Sequence, residues 1–173
     1  MPNTARWYAV TVQHQHERRI ETALRRKEME TLVPVYRSKR RWSDRTAEID
    51  LPLFSGYVFC RFALAERVWV LNTPGVRKLV GFGGTPAPIE EREVAWIQTA
   101  AASQLPMGPW PFLKPGDRVR MERGPLRGVE GTLLREKDQM RLVIGIELLQ
   151  RAIAVEVSPE MIAPLALFRT RGA

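Results

Sequence analysis

The sequence predicts an α+β fold in two domains, the first mixing helices with strands and the second made of strands alone. The spacing of apolar residues alternates between strand-like and helix-like over residues 1–104, whereas only short strands between glycines follow residue 116. Closely spaced prolines occupy residues 105–115 between them. Because proline lacks an amide donor and fixes its own φ angle, we expect a linker without regular structure there. The predicted domains are therefore 1–104 and 116–173.

The first domain is predicted to contain four strands and three helices. The strands are Trp7–Val12, Thr31–Tyr36, Leu51–Phe62 and Val76–Phe82, and the helices are Glu17–Met29, Glu66–Leu71 and Glu90–Ala102. The resulting order β-α-β-β-α-β, with one added helix, is the ferredoxin-like pattern.

The second domain is predicted to be a small all-β barrel of the SH3-like kind. Its expected strands are Asp117–Arg123, Val129–Arg135, Leu142–Leu148 and Ala152–Val157. A sheet this small removes its exposed edges by closing on itself.

The bulk composition limits the class of protein. With 45% hydrophobic and 27% charged residues the chain has the composition of a folded protein, and it holds no apolar run of the roughly 20 residues that span a bilayer. We therefore expect a cytoplasmic protein that does not contact membranes. The 27 basic residues exceed the 19 acidic ones and are mostly arginine, which suits a polyanionic partner.

Catalytic and metal-binding patterns are not apparent in the sequence. Cys60 is the single cysteine, and His14 and His16 are the only histidines, without a nucleophile or carboxylate at catalytic or metal-ligand spacing. The sequence therefore predicts a protein that is not an enzyme, with no metal and no cofactor.

The stretch Ser55–Phe62 resembles the signature of RNA-recognition motifs, in which aromatic residues of a central strand stack on bases. Tyr57 and Phe59 share one face of the strand because side chains alternate. They form either an aromatic platform or part of the core. An RNA-binding or ribosome-associated module that uses this strand is the alternative function.

Longer stretches in fixed order resemble a different family. The stretches Pro52–Phe59, Asn72–Val76, Val80–Gly84 and Pro86–Ile89 look like successive landmarks of the NusG N-terminal domain. Gly116–Arg120 and Gly124–Gly131 are similar to the KOW motif that follows that domain. Together they cover nearly the whole chain and resemble a NusG-family transcription elongation factor with a KOW barrel.

This resemblance implies binding to the largest subunits of RNA polymerase, with suppression of pausing or termination, by a protein that we expect to be monomeric. The implied contact with the polymerase clamp helices is carried over to exposed aromatic anchors at Tyr8, Phe54, Tyr57 and Phe59. The implied contact with the opposite gate loop is carried over to Arg67, Val68 and Trp69. Trp69 is equally well interpreted as a core residue.

A basic segment between the second and third predicted strands is expected to form the tip of an extended hairpin. Five positive charges with one tryptophan suit contact with the backbone and bases of upstream or non-template DNA. The candidate residues are Arg37, Lys39, Arg40, Arg41, Trp42 and Arg45. A DNA-binding regulator built on this hairpin is a further alternative.

In general NusG proteins the KOW barrel binds the termination factor Rho or a ribosomal protein through a loop that carries an aromatic residue. The matching loop here offers Leu148, Leu149 and Arg151, with Leu149 in the aromatic position and Gln150 in place of a glycine. Because a ring supplies much of the apolar contact area of such a loop, we expect weakened Rho binding. This predicts a specialised antitermination paralogue of the RfaH or UpxY kind, acting at a subset of operons. The alternating β-branched residues over 129–157 argue against a barrel that switches to helices.

Overall fold

A computed structural model of the chain describes residues 4–112 and 116–164. Contacts between residues divide it into an N-terminal unit, residues 1–94, and a C-terminal unit, residues 95–173. Residues 1–3 of the predicted first domain, 113–115 of the predicted linker and 165–173 of the predicted barrel lie outside the described residues.

The N-terminal unit holds a four-stranded antiparallel sheet with helices packed on it. Its elements are β1 (Arg6–Val12), α1 (Glu17–Arg25), β2 (Glu30–Leu32), β3 (Val35–Arg41), β4 (Thr46–Pro52), β5 (Tyr57–Phe62), α2 (Arg67–Leu71), β6 (Val76–Leu79), β7 (Gly81–Phe82) and β8 (Thr85–Pro86). A longer helix, α3 (Glu91–Ala102), begins in this unit and continues past the division. The sheet order β2-β5-β1-β6 with antiparallel neighbours is that of a ferredoxin-like fold, which confirms the predicted fold class.

Side chains alternate across the sheet, and one face forms the main core of this unit. Ile20 and Leu24 of α1 and Val70 of α2 are buried there against the strands. The strand residues of this face include Tyr8, Val10, Val12, Val58, Cys60 and Phe62. We call this face the helix-covered face.

Helix α1 ends four residues earlier than the sequence predicts. The amide of Met29 donates to the carbonyl of Leu24 at 3.2 Å, and Glu28 takes a positive φ of 61°. This left-handed residue ends the helix and turns Met29 back into the core. The predicted helix is too long because Met29, an apolar residue beyond the end of α1, continues the helical spacing.

Three strands predicted as single elements are divided in the structure, and the last of them, Val76–Phe82, becomes β6 and β7 with Val80 between them. Pro34 separates β2 from β3, and Pro52 together with the turn at Gly56, where φ is +84°, separates β4 from β5. Strands β3 and β4 pair only with each other, in register from Val35 opposite Pro52 to Arg41 opposite Thr46. They form the extended hairpin that the basic segment was expected to occupy.

The C-terminal unit is an antiparallel β domain, as predicted. After β9 (Met107–Pro111), its strands are β10 (Asp117–Met121), β11 (Glu130–Glu136), β12 (Gln139–Ile146), β13 (Arg151–Val157) and β14 (Ile162–Pro164). The sheet order is β14-β10-β11-β12-β13-β9. Its core includes Val119, Leu142, Ile144 and Ile153, all nearly inaccessible to solvent.

Strand β9 contradicts the expectation that the prolines of residues 105–115 exclude regular structure. The amide of Glu156 donates to the carbonyl of Pro106 at 2.9 Å, which sets the hydrogen-bonding alternation of the pair. The nitrogens of Pro109 and Pro111, which carry no hydrogen, therefore point away from β13. Proline is tolerated in such an edge strand because no ladder hydrogen bond is lost.

Within the described ranges, no helix combines the length and apolar character needed to cross a bilayer. The same residues hold no cluster of three or more His, Cys, Asp or Glu arranged to bind a metal ion.

Candidate functional site

Among the residues that the structure describes, the second face of the main sheet is covered at one end and open at the other. In this face, Trp7 lies opposite Arg61, and Ala9 lies opposite Phe59. Trp7, Ala9 and Phe59 are at most 3% exposed. Two contacts position the chain around the start of α3 over this end: the Ile89 amide donates to the Trp7 carbonyl at 2.8 Å, and Glu91 pairs with Arg61 at 3.2 Å.

The expectation that four aromatic residues are exposed anchors for the clamp helices is wrong for three of them. Tyr8 lies on the helix-covered face, 4.8 Å from Phe62 between ring centroids. Phe54 and Phe59 are buried and meet edge to face at 5.2 Å. Only Tyr57 is half-exposed. The two-ring platform considered for RNA is therefore not formed, because Phe59 is packed under Phe54.

The open end of the second face carries a row of side chains across three strands. Tyr57 of β5 and Lys78 of β6 both lie opposite Thr11 of β1. Together with the β7–β8 hairpin they surround a depression of about 310 Å³. The lining residues are Thr11, Tyr57, Lys78, Leu79, Val80, Gly81, Gly84 and Thr85. We call this depression the Tyr57 depression.

The hairpin beside the Tyr57 depression presents an aromatic residue that the sequence reasoning missed. Phe82 is 72% exposed, more than any other large hydrophobic residue in the described part of the chain. A Cβ atom at Gly81 would overlap the carbonyl oxygen of Thr85, so the tight pairing of this hairpin requires glycine. Phe82 lies between two glycines in a hairpin too short to offer a buried face for its ring. This pattern of a phenylalanine between glycines is the feature of the sequence that could have predicted its exposure.

Helix α2 presents the residues predicted for the gate-loop contact. Val68 is 51% and Trp69 is 61% exposed, so the interpretation of Trp69 as a core residue is wrong. Arg67 is exposed as well. Leu64 and Leu71 extend this apolar surface, which we call the α2 patch.

A lysine from the turn after α1 holds the end of this short helix. Lys27 Nζ donates to the carbonyl of Trp69 at 2.9 Å and to Thr73 Oγ1 at 2.8 Å. The last carbonyls of a helix have no partner within it and favour a positive charge nearby. Lys27 therefore fixes the backbone from which the α2 patch projects.

The basic hairpin divides into a charge-balanced base and a positive tip. Arg37 lies 3.7 Å from Glu48 and 3.9 Å from Asp50, and Lys39 is the register partner of Glu48. By contrast, Arg40 lies opposite Ala47 and Arg41 opposite Thr46, so neither meets an acidic partner across the pair. The structure thus separates the six candidate residues into two groups, which the alternation of acids in β4 could have indicated.

The tip also positions its tryptophan. Trp42 is 48% exposed, and the Arg45 guanidinium lies 5.0 Å from its ring centroid. The Trp42 amide donates to the Arg45 carbonyl at 2.8 Å and closes the turn. The Arg45 guanidinium therefore lies over one face of the Trp42 ring. This arrangement suits a tryptophan that stacks on a base.

The family model for "Transcription termination factor nusG" matches residues 5–98, more than half of the chain. The chain belongs to the NusG family. It is 29% identical over 168 residues to the transcription termination/antitermination protein NusG of Pasteurella multocida, covering 88% of this chain and 91% of that protein. It is 22% identical over 167 residues to the protein of the same name from Helicobacter pylori strain J99, covering 87% and 93%.

A solved structure described as "Domain interaction in Thermotoga maritima NusG" shares the fold. Its TM-score is 0.58 at 22% sequence identity, and the likeness covers 93% of this chain and 97% of that one. The chain is thus a NusG-type transcription factor with a ferredoxin-like N-terminal domain and a C-terminal β domain.

The loop predicted as the KOW partner loop, which we call the partner loop, joins β12 to β13. Leu148 and Leu149 are half-buried in a single turn of 3-10 helix, and Arg151 is exposed. Gln150 adopts a left-handed backbone, with φ of 50°. Its side chain Nε2 donates to the Glu147 carbonyl at 2.8 Å.

The partner loop forms one wall of a depression whose other wall is β9 and the residue after it. This depression of about 480 Å³ is lined by Pro109, Trp110, Pro111, Phe112, Leu149, Gln150 and Arg151. The aromatic rings beside the loop therefore come from the segment predicted as a linker. Sequence reasoning missed Trp110 and Phe112 because their position depends on the pairing of β9 with β13.

Proposed function

We propose that this NusG-family protein binds the largest subunits of RNA polymerase through its N-terminal domain and suppresses pausing or termination at a subset of operons. It acts in the cytoplasm as a monomer. The polymerase-binding domain is assigned to residues 1–104 and the partner-binding KOW barrel to the region after residue 116.

The observation that carries the proposal is the open end of the second sheet face. There the half-exposed Tyr57 lines a depression of about 310 Å³ and Phe82 stands 72% exposed on the adjoining hairpin. An exposed aromatic beside a concave surface is well suited to anchor a protein interface, and a coiled coil offers grooves for such rings. We therefore centre the clamp-helix contact on Tyr57 and Phe82, with Phe54, Phe59 and Tyr8 supporting it from the core.

Two further surfaces fit the same assembly. The α2 patch, with Val68 and Trp69 exposed beside Arg67, offers an apolar contact to the gate loop. The positive tip of the hairpin offers arginines and a stacking ring to upstream or non-template DNA. A protein that touches both sides of the polymerase cleft and the nucleic acid would restrain the opening that accompanies pausing.

The KOW barrel supports the restriction to a subset of operons. Leu149 and Gln150 stand where general NusG proteins carry an aromatic residue and a glycine, so Rho engagement is proposed to be weak. A ribosomal protein remains a proposed partner of the barrel.

Co-purification of the full chain with bacterial core RNA polymerase tests the proposal. We expect the variant Tyr57→Ala with Phe82→Ala to bind about ten-fold or more weakly, because truncated aromatic anchors commonly cost about 2 kcal/mol or more. Trp42→Ala is the matched control, since it removes an exposed aromatic residue from the hairpin tip. Phe59→Ala is unsuitable because a buried phenylalanine replaced by alanine costs about 3–5 kcal/mol of stability.

Undiminished binding by the folded double variant would refute the assignment of the Tyr57 depression. If the intact chain fails to bind polymerase and is retained on single-stranded RNA, the RNA-binding alternative is favoured instead.

A further inference from the structure

Strand β9 joins the barrel as an edge strand, and its outer side has few amide donors. The alternation set by the Glu156 to Pro106 hydrogen bond directs the backbone of Gly108 and Trp110 toward β13. Pro109 and Pro111 direct their donor-free nitrogens outward. The chain's own segment therefore occupies the β13 edge, and its outer side discourages pairing by another strand.

Two aromatic rings of this segment lie on small residues of the barrel's outer face. Trp110 and Phe112 pack against Val143, Ala152 and Ala154. A Cβ atom at Gly145 would stand 2.5 Å from Phe112 Cε2, so the ring lies directly over the β12 backbone. We call Val143, Gly145, Ala152 and Ala154 the barrel shelf.

Strand β9 is held by backbone pairing with β13 and by the packing of two aromatic side chains, so most of its other side chains are not required for its binding. The β13 backbone can pair with any extended segment, and the barrel shelf selects for aromatic side chains two residues apart, as in peptide recognition by strand addition. The Arg141 guanidinium, 5.2 Å from the Trp110 ring centroid, favours an aromatic residue at that position.

The packing of β9 on the barrel also leaves one polar group without a hydrogen bond. The Trp110 Nε1 atom is buried and has no hydrogen-bond partner among the described residues. A buried donor without a partner costs free energy and offsets part of the gain from packing the ring. As an edge strand with one paired side, β9 can leave without opening the rest of the sheet.

We propose that the β13 edge and the barrel shelf form a peptide-binding site that residues Met107–Phe112 occupy in this structure. An extended segment of a partner protein, carrying aromatic residues at alternate positions, binds there by displacing β9. Displacement frees residues 107–112 to lengthen the connection between α3 and the barrel. The proposal does not depend on polymerase binding.

The test uses a fluorescent peptide with the sequence of Pro106–Phe112, titrated by anisotropy into the full chain. A tethered segment competes at an effective concentration in the millimolar range. We therefore expect the variant Trp110→Ala with Phe112→Ala, in which β9 is loosened, to bind the peptide at least about ten-fold more tightly than the wild type. Circular dichroism verifies that the variant keeps its strand content.

Two controls identify the site. A peptide with alanine at both aromatic positions should lose binding, and adding Gly145→Val to the double variant should abolish binding by filling the place of the Phe112 ring. No binding by the folded double variant, or equal binding by wild type and variant, would overturn the proposal.

Hydrogen exchange of the wild type provides a second test that needs no variant. The alternation directs the amides of Ala152 and Ala154 toward β9, and those of Ile153 and Val155 toward β12. A displaceable β9 predicts faster exchange for the first pair. Equal protection of both pairs would show that β9 is a permanent strand and would also overturn the proposal.

Discussion

Tyr57 and Phe59 project from the same face of β5, yet one ring lines a surface depression and the other is buried. Phe59 lies in the row of Ala9, where the ring of Phe54 covers it at 5.2 Å. Tyr57 lies one row further, opposite Thr11, where the β7–β8 hairpin forms a rim and leaves the face open. The position along the covered face therefore decides which aromatic residue can meet a partner.

Gln150 adopts a backbone conformation that favours glycine. A residue other than glycine in the left-handed region costs roughly 1–2 kcal/mol relative to a right-handed conformation. Its hydrogen bond to the Glu147 carbonyl, at 2.8 Å, offsets part of that cost and ties the side chain to the partner loop. The left-handed conformation of Gln150 is thus supported by its own side chain.

The thiol of Cys60 is predicted to be unreactive in the folded protein. Its burial, and secondarily the negative charges of Glu30 and Glu66, raises the pKa of the thiol to about 12. Because the thiolate is the reactive form, we expect alkylation at about pH 8 only after denaturation. Iodoacetamide labelling followed by mass spectrometry measures this, and rapid labelling of the native chain would contradict it.

The same shift predicts a dependence of stability on alkaline pH. The thiol pKa is raised on folding, so the folded state keeps its proton as the unfolded thiol, with a pKa of about 8.5, begins to ionise. Stability is unaffected below that pH and falls as pH rises toward about 12, by up to about 1.4 kcal/mol for each pH unit. Denaturant unfolding at about pH 8 and about pH 10 measures the loss, and Cys60→Ala should remove this component.

At the scale of elements, the hairpin β3–β4 places Arg40 and Arg41 where no acidic residue lies directly opposite them. Glu48 and Asp50 of β4 face the base of β3, whereas Ala47 and Thr46 face the tip. The two-residue period of a strand pair therefore converts a basic segment into a balanced base and a positive end.

This arrangement predicts unequal contributions to nucleic-acid binding. Replacing Arg40 and Arg41 with alanine should reduce the dependence of log affinity for single-stranded DNA on log salt by about 1.4, or roughly 0.7 for each phosphate that the variant no longer neutralises. The matched control is Arg37→Ala with Lys39→Ala, which removes the same charge from the balanced base. Anisotropy titrations over a salt series measure both slopes. Equal reductions by the two variants would refute the assignment to the tip.

At the scale of the whole molecule, the positive charge is concentrated in the N-terminal unit. Residues 1–94 hold 16 of the 27 lysines and arginines and 11 of the 19 acidic residues, whereas residues 116–164 hold eight of each. The proposed nucleic-acid contact therefore lies in the unit with the larger excess of positive charge. The barrel carries no net charge over its described residues 116–164, so a partner proposed for it would be recognised by shape and apolar contact.

The departure of the partner loop predicts a weakened interaction with Rho. Leu149 supplies less contact area than the aromatic residue of general NusG proteins, so we expect a pull-down with Rho to retain this chain at least about ten-fold less than a general NusG protein. Leu149→Phe should recover part of the difference. Retention equal to that of the general protein would contradict the proposed specialisation.

The fold class, the family and the extended basic hairpin follow from the amino-acid sequence alone. Apolar periodicity, turn glycines and the order of motifs are local properties, and each is read from a short stretch of chain. The burial of Phe59 under Phe54 and the exposure of Trp69 emerge only when the chain is folded. The same holds for β9, because an edge strand with prolines forms only where β13 offers an unpaired edge and Gly145 leaves room for a ring. These features depend on which segments, distant in sequence, cover a given face, and no local pattern encodes that.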